Sequence, residues 1–303
     1  MSTAAAHPFM SVIVPTYRRP QALRRCLGHL ADQRYPSDRF DVIVVDDGSG
    51  DPPADAVAEV RGRLAASLHT RPHAGPAAAR NTGAQHATGE FLAFTDDDCA
   101  PAPDWLAVLA ASLTAHRGAG VGGRTVNMLH ANLCATVSQV IVDLAYEFYN
   151  GTGDEARFFA SNNMALPAGR FRELGGFNES FHWSEDREIC DRWRHAGHRL
   201  VFAPAAVVQH AHDLSWRRFC RQHFNYGRGA FRFQRLRARR GSGRMRDDMR
   251  FHAELPRRLV AVFAATPPRR WLGLAALLAT WQTVNAAGYL YQQARSRFRA
   301  TER

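Results

Sequence analysis

Residues 90–101 read EFLAFTDDDCAP. The apolar run Phe91–Phe94 has the length and character of a buried strand, and it ends in Thr95 and three consecutive carboxylates, Asp96, Asp97 and Asp98. Adjacent like charges repel, and a carboxylate stripped of water is costly unless a cation pairs with it. Asp96 and Asp98 stand at D-x-D spacing. That spacing suits a hard divalent cation, Mg2+ or Mn2+, which takes oxygen ligands and shares its shell with phosphate oxygens. The bland alternative is a solvated acidic turn that caps the following helix.

Working outward, strand and helix signals alternate on both sides of this segment. Ser11–Val14 and Asp41–Val45 read as strands and residues 65–69 as a short one; residues 20–33, 53–66 and 76–88 read as helices. Beyond the acidic cluster, residues 103–115 read as a helix opened by Pro103 and Asp104, and residues 121–126 as a strand. The βαβαβ alternation predicts an α/β fold with a mostly parallel twisted sheet and helices on both faces. In such a sheet, ligands bind outside the carboxyl ends of the strands. Three polar clusters fall there: Pro15-Thr16-Tyr17, Asp46-Asp47-Gly48-Ser49 and Thr95-Asp96-Asp97-Asp98. A lone Asp-Gly-Ser is ordinary turn chemistry; three converging ends predict one crevice.

After residue 130 the pattern loosens. Residues 131–150 and 184–197 read as helices, and residues 157–165, 199–202 and 206–208 as strands. Residues 214–240 read as a basic helix broken near Gly227–Gly229. The chain of 303 residues carries a formal net charge of +11 and no lysine. Residues 216–258 hold 14 Arg against 3 acidic residues, so the whole excess sits in one segment. A run of that kind faces an anionic partner or is simply a solvated helix face. Residues 271–291 contain no charge, yet Gln282, Thr283, Asn285 and two glycines dilute their apolar character. A bilayer span, a helix lying in the interface and ordinary packing all fit. The five cysteines are scattered, with no CxxC pair, which argues against a disulfide framework and a zinc site and points to a reducing compartment. The N-terminal MSTAAAHPFMSVIVPT lacks the basic region of a secretory signal.

Six motifs in order, SVIVPTYRRP, VIVVDDGSGD, GPAAARNTG, GEFLAFTDDD, SNNMALPAGRFRELGGFNE and EDREICDRWRHAGHRL, resemble the family 2 glycosyltransferases over residues 9–230. The resemblance implies a GT-A nucleotide-sugar-binding fold and inverting transfer of a sugar, most often from a UDP-sugar, to an acceptor hydroxyl. Carried over by position, Pro15, Tyr17, Asp46, Asp47 and Arg80 would bind the nucleotide or its phosphates. Asp96 and Asp98 would hold the divalent cation, with His210 (or His212) completing its shell. Asp97, Asn162 and Asn163 would lie near the donor sugar or the acceptor. Asp186 would be the catalytic base, with Glu185 beside it. The Gln-x-x-Arg-Trp motif of the polymer-making members is absent; Asp191-Arg192-Trp193 lacks the Gln, which implies a single-addition enzyme.

The expected organisation is a catalytic domain over residues 9–213 and a basic, apolar-tailed helical extension over 214–303 that associates with an anionic membrane surface. The expected acceptor is a lipid-linked or cell-envelope glycan. The expected location is the cytoplasmic face of a membrane, peripheral or monotopic. Two other classes compete. A different nucleotide-binding α/β transferase would carry a glycine-rich phosphate loop after the first strand, where Pro15-Thr16-Tyr17-Arg18-Arg19 stands instead. A nucleic-acid-binding protein would use the Arg and aromatic residues of 216–240; the acidic crevice would repel a polyanion, so no nucleic-acid partner is expected.

Overall fold

Val12 and Val14 of the first strand and Val42 and Val44 of the second point into one apolar cluster, and Ile13, Ile43 and Val45 are buried on the other face. Strands covered on both faces are apolar throughout, which is why these runs show no alternation. The computed structural model describes residues 7–151 and 156–301. Its elements in chain order are β1 (Met10–Thr16), α1 (Pro20–Ala31), β2 (Phe40–Asp46), α2 (Ala54–Ala58), β3 (Ala66–Thr70), α3 (Pro76–His86), β4 (Phe91–Phe94), β5 (Cys99–Pro101) and α4 (Trp105–Ala115). There follow β6 (Gly120–Asn127), α5 (Leu133–Asn150), β7 (Met164–Pro167), α6 (Ala168–Glu173), α7 (Glu185–His195), β8 (Leu200–His210), α8 (Trp216–Arg240), α9 (Met245–Ala264) and α10 (Trp271–Thr301). The chain divides into two units, Met1–Val126 with Gly153–Ala211, and Asn127–Thr152 with His212–Arg303.

The first unit is built on one eight-stranded sheet in the order β3-β2-β1-β4-β7-β6-β8-β5. The sheet is mixed, not mostly parallel. Strands β3, β2, β1 and β4 run parallel, whereas β7 runs antiparallel to both β4 and β6, and β5 antiparallel to β8. The reversal has a local cause. A 3-10 turn at Ser161–Asn163 sets Met164 opposite Phe94, and β7 then returns along β4 to Pro167 opposite Phe91. The strand expected over 157–165 therefore starts only at Met164. The two short strands expected over 199–202 and 206–208 are one strand, β8, running through Pro204. Leu23, Leu27 and Leu30 of α1 and Trp105, Leu106 and Leu109 of α4 close the core against Val12, Val14, Val42 and Val44.

The second unit is helical. Val137 and Leu144 of α5, Phe219 of α8, Phe251 and Leu255 of α9, and Leu274, Leu277, Leu278 and Trp281 of α10 share one apolar cluster. Helix α8 is continuous over 25 residues, without the expected break at Gly227–Gly229. Gly227 serves a close crossing. A Cβ there would stand 1.9 Å from the carbonyl oxygen of Asn285, and one at Gly288 would stand 1.9 Å from that of Phe224. The polar residues of the apolar tail serve the same contact: Asn285 Nδ2 donates to the His223 carbonyl at 3.2 Å, and Tyr289 donates to Gln234 Oε1 at 2.8 Å. Among the described residues, no helix is long and apolar enough to cross a membrane. The segment 271–291 is instead the first part of α10, with one face in the helical core.

Candidate functional site

Because β2, β1 and β4 are neighbours and parallel, with Thr16 opposite Asp46 and Ile13 opposite Phe94, their carboxyl ends lie side by side. The three polar clusters therefore converge in the first unit. Pro15 lies inside the sheet, buried opposite Val45, and Thr16 and Asp46 are the last paired residues of β1 and β2.

The three consecutive carboxylates are ion-paired to arginines from two other segments. Arg19, which directly precedes α1, places Nη2 2.6 Å from Asp97 Oδ1 and Nη1 2.6 Å from Asp98 Oδ2. Arg80 of α3, only 3% exposed, places Nη2 2.6 Å from Asp96 Oδ1 and Nη1 3.0 Å from Glu185 Oε1. Its guanidinium also lies 5.7 Å from the centre of the Phe177 ring. Asp97 is fully buried and accepts a hydrogen bond from Thr16 Oγ1 at 2.7 Å. Burial pushes its pKa up to about 7; Arg19 opposes the rise, and the charges of Asp98 and Asp96 add to it.

Asp98 is shared with the far end of the sheet. The β5–β8 pairing sets Cys99 opposite His210, and His210 Nε2 comes within 3.2 Å of Asp98 Oδ1. Burial works against a protonated His210, but the hydrogen bond and charge of Asp98 outweigh it and raise its pKa. The ligating atoms of Asp98, Cys99 and His210 lie within 4.8 Å of one another. Burial drives the Cys99 thiol well up, and a hard Mg2+ or Mn2+ ion prefers oxygen and imidazole donors to a thiol. Asp98 and His210 do fit a divalent cation. Adjacent ligands of a six-coordinate ion with bonds of about 2.1 Å lie about 3 Å apart, close to their present separation. Asp96, the other half of the expected pair, is ion-paired to Arg80 as Asp98 is to Arg19. His212 belongs to the other unit.

On the β2 side, Asp46 accepts a hydrogen bond from Ser49 N at 3.0 Å and closes its own turn. Asp47 accepts from the backbone N–H groups of Ala74 at 3.1 Å and Gly75 at 2.8 Å, and so pins the loop that opens α3. Gly48 is required between them. Its φ is +81°, and a Cβ would stand 2.7 Å from His73 N. His73 Nδ1 lies 2.8 Å from Asp47 Oδ2, and the His73 ring stacks on Tyr17 with centroids 4.4 Å apart and 25° between planes.

On the other side of the Arg80 guanidinium from Asp96, Glu185 and Asp186 open α7. Ser184 before them has φ +69° and Arg18 has φ +54°; among the described residues these are the only non-glycine positions with positive φ. Strain of that kind gathers where a chain is held for function. Burial raises the pKa of Glu185, the charge of Asp186 adds to it and Arg80 opposes it. The surrounding protein also raises Asp186, against the backbone N–H of Arg187 and the charge of Arg80.

Asn162 and Asn163, expected near the donor sugar or the acceptor, are both buried. Asn163 is fully buried. Its Oδ1 accepts from Trp105 Nε1 at 2.9 Å, and its Nδ2 donates to the carbonyls of Arg124 at 3.1 Å and Ala206 at 2.9 Å. It braces β6, β8 and α4. Asn162 accepts from Thr125 at 3.2 Å. Sequence reasoning missed Arg19 and His73. Each sits three residues beyond a strand end, but the groups they meet are remote in the chain.

The site belongs to a known family. The sequence profile of "Glycosyl transferase family group 2" matches residues 92–294, and that of "Glycosyl transferase family 2" matches residues 11–152. The pre-mycofactocin glycosyltransferase of Mycobacterium tuberculosis is 30% identical over 230 residues, covering 74% of this chain and 47% of that protein. The chain spans about half the length of the curated relatives it matches. In fold it is similar to the mannosyltransferase PcManGT from Pyrobaculum calidifontis, solved with GDP-Man and Mn2+, at TM-score 0.67 and 24% identity over 96% of this chain and 85% of that one. It is also similar to residues 1–349 of Staphylococcus aureus TarS in complex with UDP-GlcNAc, at TM-score 0.59 and 18% identity over 95% of this chain and 91% of that one. With a family profile matched along most of its length and a GT-A-like α/β sheet behind the converging acids, the chain belongs to the family 2 glycosyltransferases.

Proposed function

We propose that the protein is an inverting glycosyltransferase that moves a sugar from a nucleoside-diphosphate sugar to an acceptor hydroxyl. The observation that carries this reading is the arrangement around Arg80, which ties Asp96 at the end of β4 to Glu185 at the start of α7. One side of Arg80 thus carries a cation-binding acid cluster, and the other side carries a base. Asp186 accepts the proton of the acceptor hydroxyl as that oxygen attacks the anomeric carbon; its raised pKa brings it nearer the pH at which a general base works best. Glu185 and Arg80 position it. Tyr17 and His73 offer an aromatic edge to the nucleobase, while Asp47 and Asp46 fix the turns beneath. Asp98 and His210 would hold a divalent cation, Mn2+ or Mg2+, whose chemistry is to stabilise the charge of a departing diphosphate. Direct displacement needs no covalent enzyme intermediate.

Among the relatives, TarS is named a poly(ribitol-phosphate) β-N-acetylglucosaminyltransferase and another a pre-mycofactocin glycosyltransferase. The TarS name supports the finer reading that the acceptor is a lipid-linked or cell-envelope glycan, and a place at the cytoplasmic face of a membrane is part of the same proposal. The solved relatives hold GDP-Man in one case and UDP-GlcNAc in another, which supports a nucleotide-sugar donor, and a UDP-sugar is the first to test. Calorimetric titration with UDP, GDP, CDP and dTDP, with and without Mn2+, tests the reading. One nucleotide should bind with Mn2+ and lose that binding in Asp98→Ala. Absence of nucleotide binding under every condition sinks it.

A further inference from the structure

Helix α10 carries two apolar stripes where an ordinary surface helix carries one. Leu274, Leu277, Leu278 and Trp281, at i, i+3, i+4 and i+7, are buried in the core of the second unit. Leu272, Ala275, Ala276 and Ala279 repeat the same spacing on the outside, and all four are exposed. Leu272 is 85% exposed and Trp271 44%. The end of α9 continues this surface with Val260, 68% exposed. Between the two helices lies an apolar trough of about 480 Å³ lined by Pro256, Leu259, Val260, Phe263, Ala264 and Trp271. Trp271 is locked at its edge: its Nε1 donates to the carbonyls of Phe263 at 3.0 Å and Thr266 at 2.8 Å.

Arg258 is ion-paired to Glu147 and Glu254, but the charges that follow along the chain are of one sign. From Leu255 to Thr301 the sequence has seven Arg and no acidic residue. Arg257, Arg269 and Arg270 are exposed, the last two in the 3-10 turn at Pro268–Arg270 that joins α9 to α10. We propose that the α9–α10 turn docks this protein on an anionic lipid surface, with Val260, Trp271 and Leu272 dipping among the acyl chains and Arg257, Arg269 and Arg270 on the phosphates. The pairing of exposed apolar side chains with Arg, and a Trp at the boundary, is what an interfacial helix needs. The other occupants fit less well. A second copy would bring its own seven Arg against these, and a nucleic acid would find no use for the apolar stripe. Among the described residues no helix is long and apolar enough to cross, so the docking proposed is shallow. It does not depend on the transfer reaction.

The test is co-sedimentation of the full chain with vesicles of phosphatidylcholine alone or with one third phosphatidylglycerol, at low and high salt. Binding is expected only to the anionic vesicles, weakened by salt. It should fall about fivefold for each of Arg269→Gln and Arg270→Gln and be lost in Val260→Asp/Leu272→Asp. Both aspartates stand at exposed positions, and circular dichroism checks that the fold persists. Equal binding to neutral vesicles, or full binding by the double aspartate variant, overturns the proposal. A dimer in size-exclusion chromatography that the same variant dissolves, without vesicle binding by the parent, also overturns it and makes this face a self-interface.

Discussion

Arg80 Nη1 lies 3.0 Å from Glu185 Oε1 and joins the first turns of α3 to the first residue of α7 across 105 positions of sequence. The guanidinium is 3% exposed and its other terminal nitrogen holds Asp96. Removing one partner of a buried ion pair leaves an uncompensated charge, which costs about 3–5 kcal/mol. Arg80→Met is therefore expected to lower the urea-derived stability by that amount. Arg80→Lys should recover only part, since one ammonium cannot span two carboxylates as a planar fork does.

The same cluster sets a pH profile. A base works only when deprotonated, so kcat/KM falls as pH drops through its pKa. Burial raises both Glu185 and Asp186, and the acid limb is expected above the ordinary aspartate value of about 3.9. Arg80 opposes both rises, so Arg80→Gln should move the limb to higher pH. The mutual repulsion of the two acids is reciprocal, so Glu185→Gln should move it lower. A limb that ignores both substitutions would separate the profile from Asp186.

His223 makes stability depend on acid. It is 1% exposed, and neither ring nitrogen has a hydrogen-bond partner. Burial first, then His212, lower its pKa from 6.5 to about 4. The unfolded chain therefore takes up a proton below pH 6.5 that the folded chain refuses, and stability is lost as pH falls from 6.5 toward 4. The expected loss at pH 4.5 is about 2.5 kcal/mol. Asp97, raised to about 7, changes stability in the opposite sense over this range, so the His223 share is read by difference: between pH 7.5 and 4.5 the parent should lose about 2.5 kcal/mol more urea-derived stability than His223→Leu.

The α8–α10 crossing is intolerant of side chains. Gly227→Ala and Gly288→Ala would each drive a methyl into backbone carbonyl at 1.9 Å, so the helices must separate. Each is expected to cost about 1–3 kcal/mol or more, as overpacking does. Gly28→Ala is the control. That glycine lies inside α1 with nothing within 4 Å of a new Cβ, and the change should stabilise by about 0.5–1 kcal/mol. Melting curves of the three variants decide it.

The convergence of Thr16, Asp46 and Asp96–Asp98 was legible because strand ends are local and apolar runs mark them. What surrounds those residues was not. Arg19 meets Asp98 across 79 positions, and His73 meets Asp47 across 26, with no local pattern to announce either. The antiparallel return of β7 depends on a four-residue strand and a 3-10 turn, too short for periodicity to register. Residues 199–202 and 206–208 read as two strands, yet one strand carries through Pro204. Gly227 looked like a helix breaker because its reason, the Asn285 carbonyl, lies in another helix.

The central claim is that Asp186 is the base of a nucleotide-sugar transfer, and one variant tests it most directly. Slow hydrolysis of the donor that the nucleotide titration identifies, with water as acceptor, should be followed in parent and Asp186→Asn alongside nucleotide affinity. The account predicts a kcat lower by about 100-fold or more with the nucleotide Kd unchanged. A variant that turns over within threefold of the parent, or that loses nucleotide binding along with activity, would contradict it.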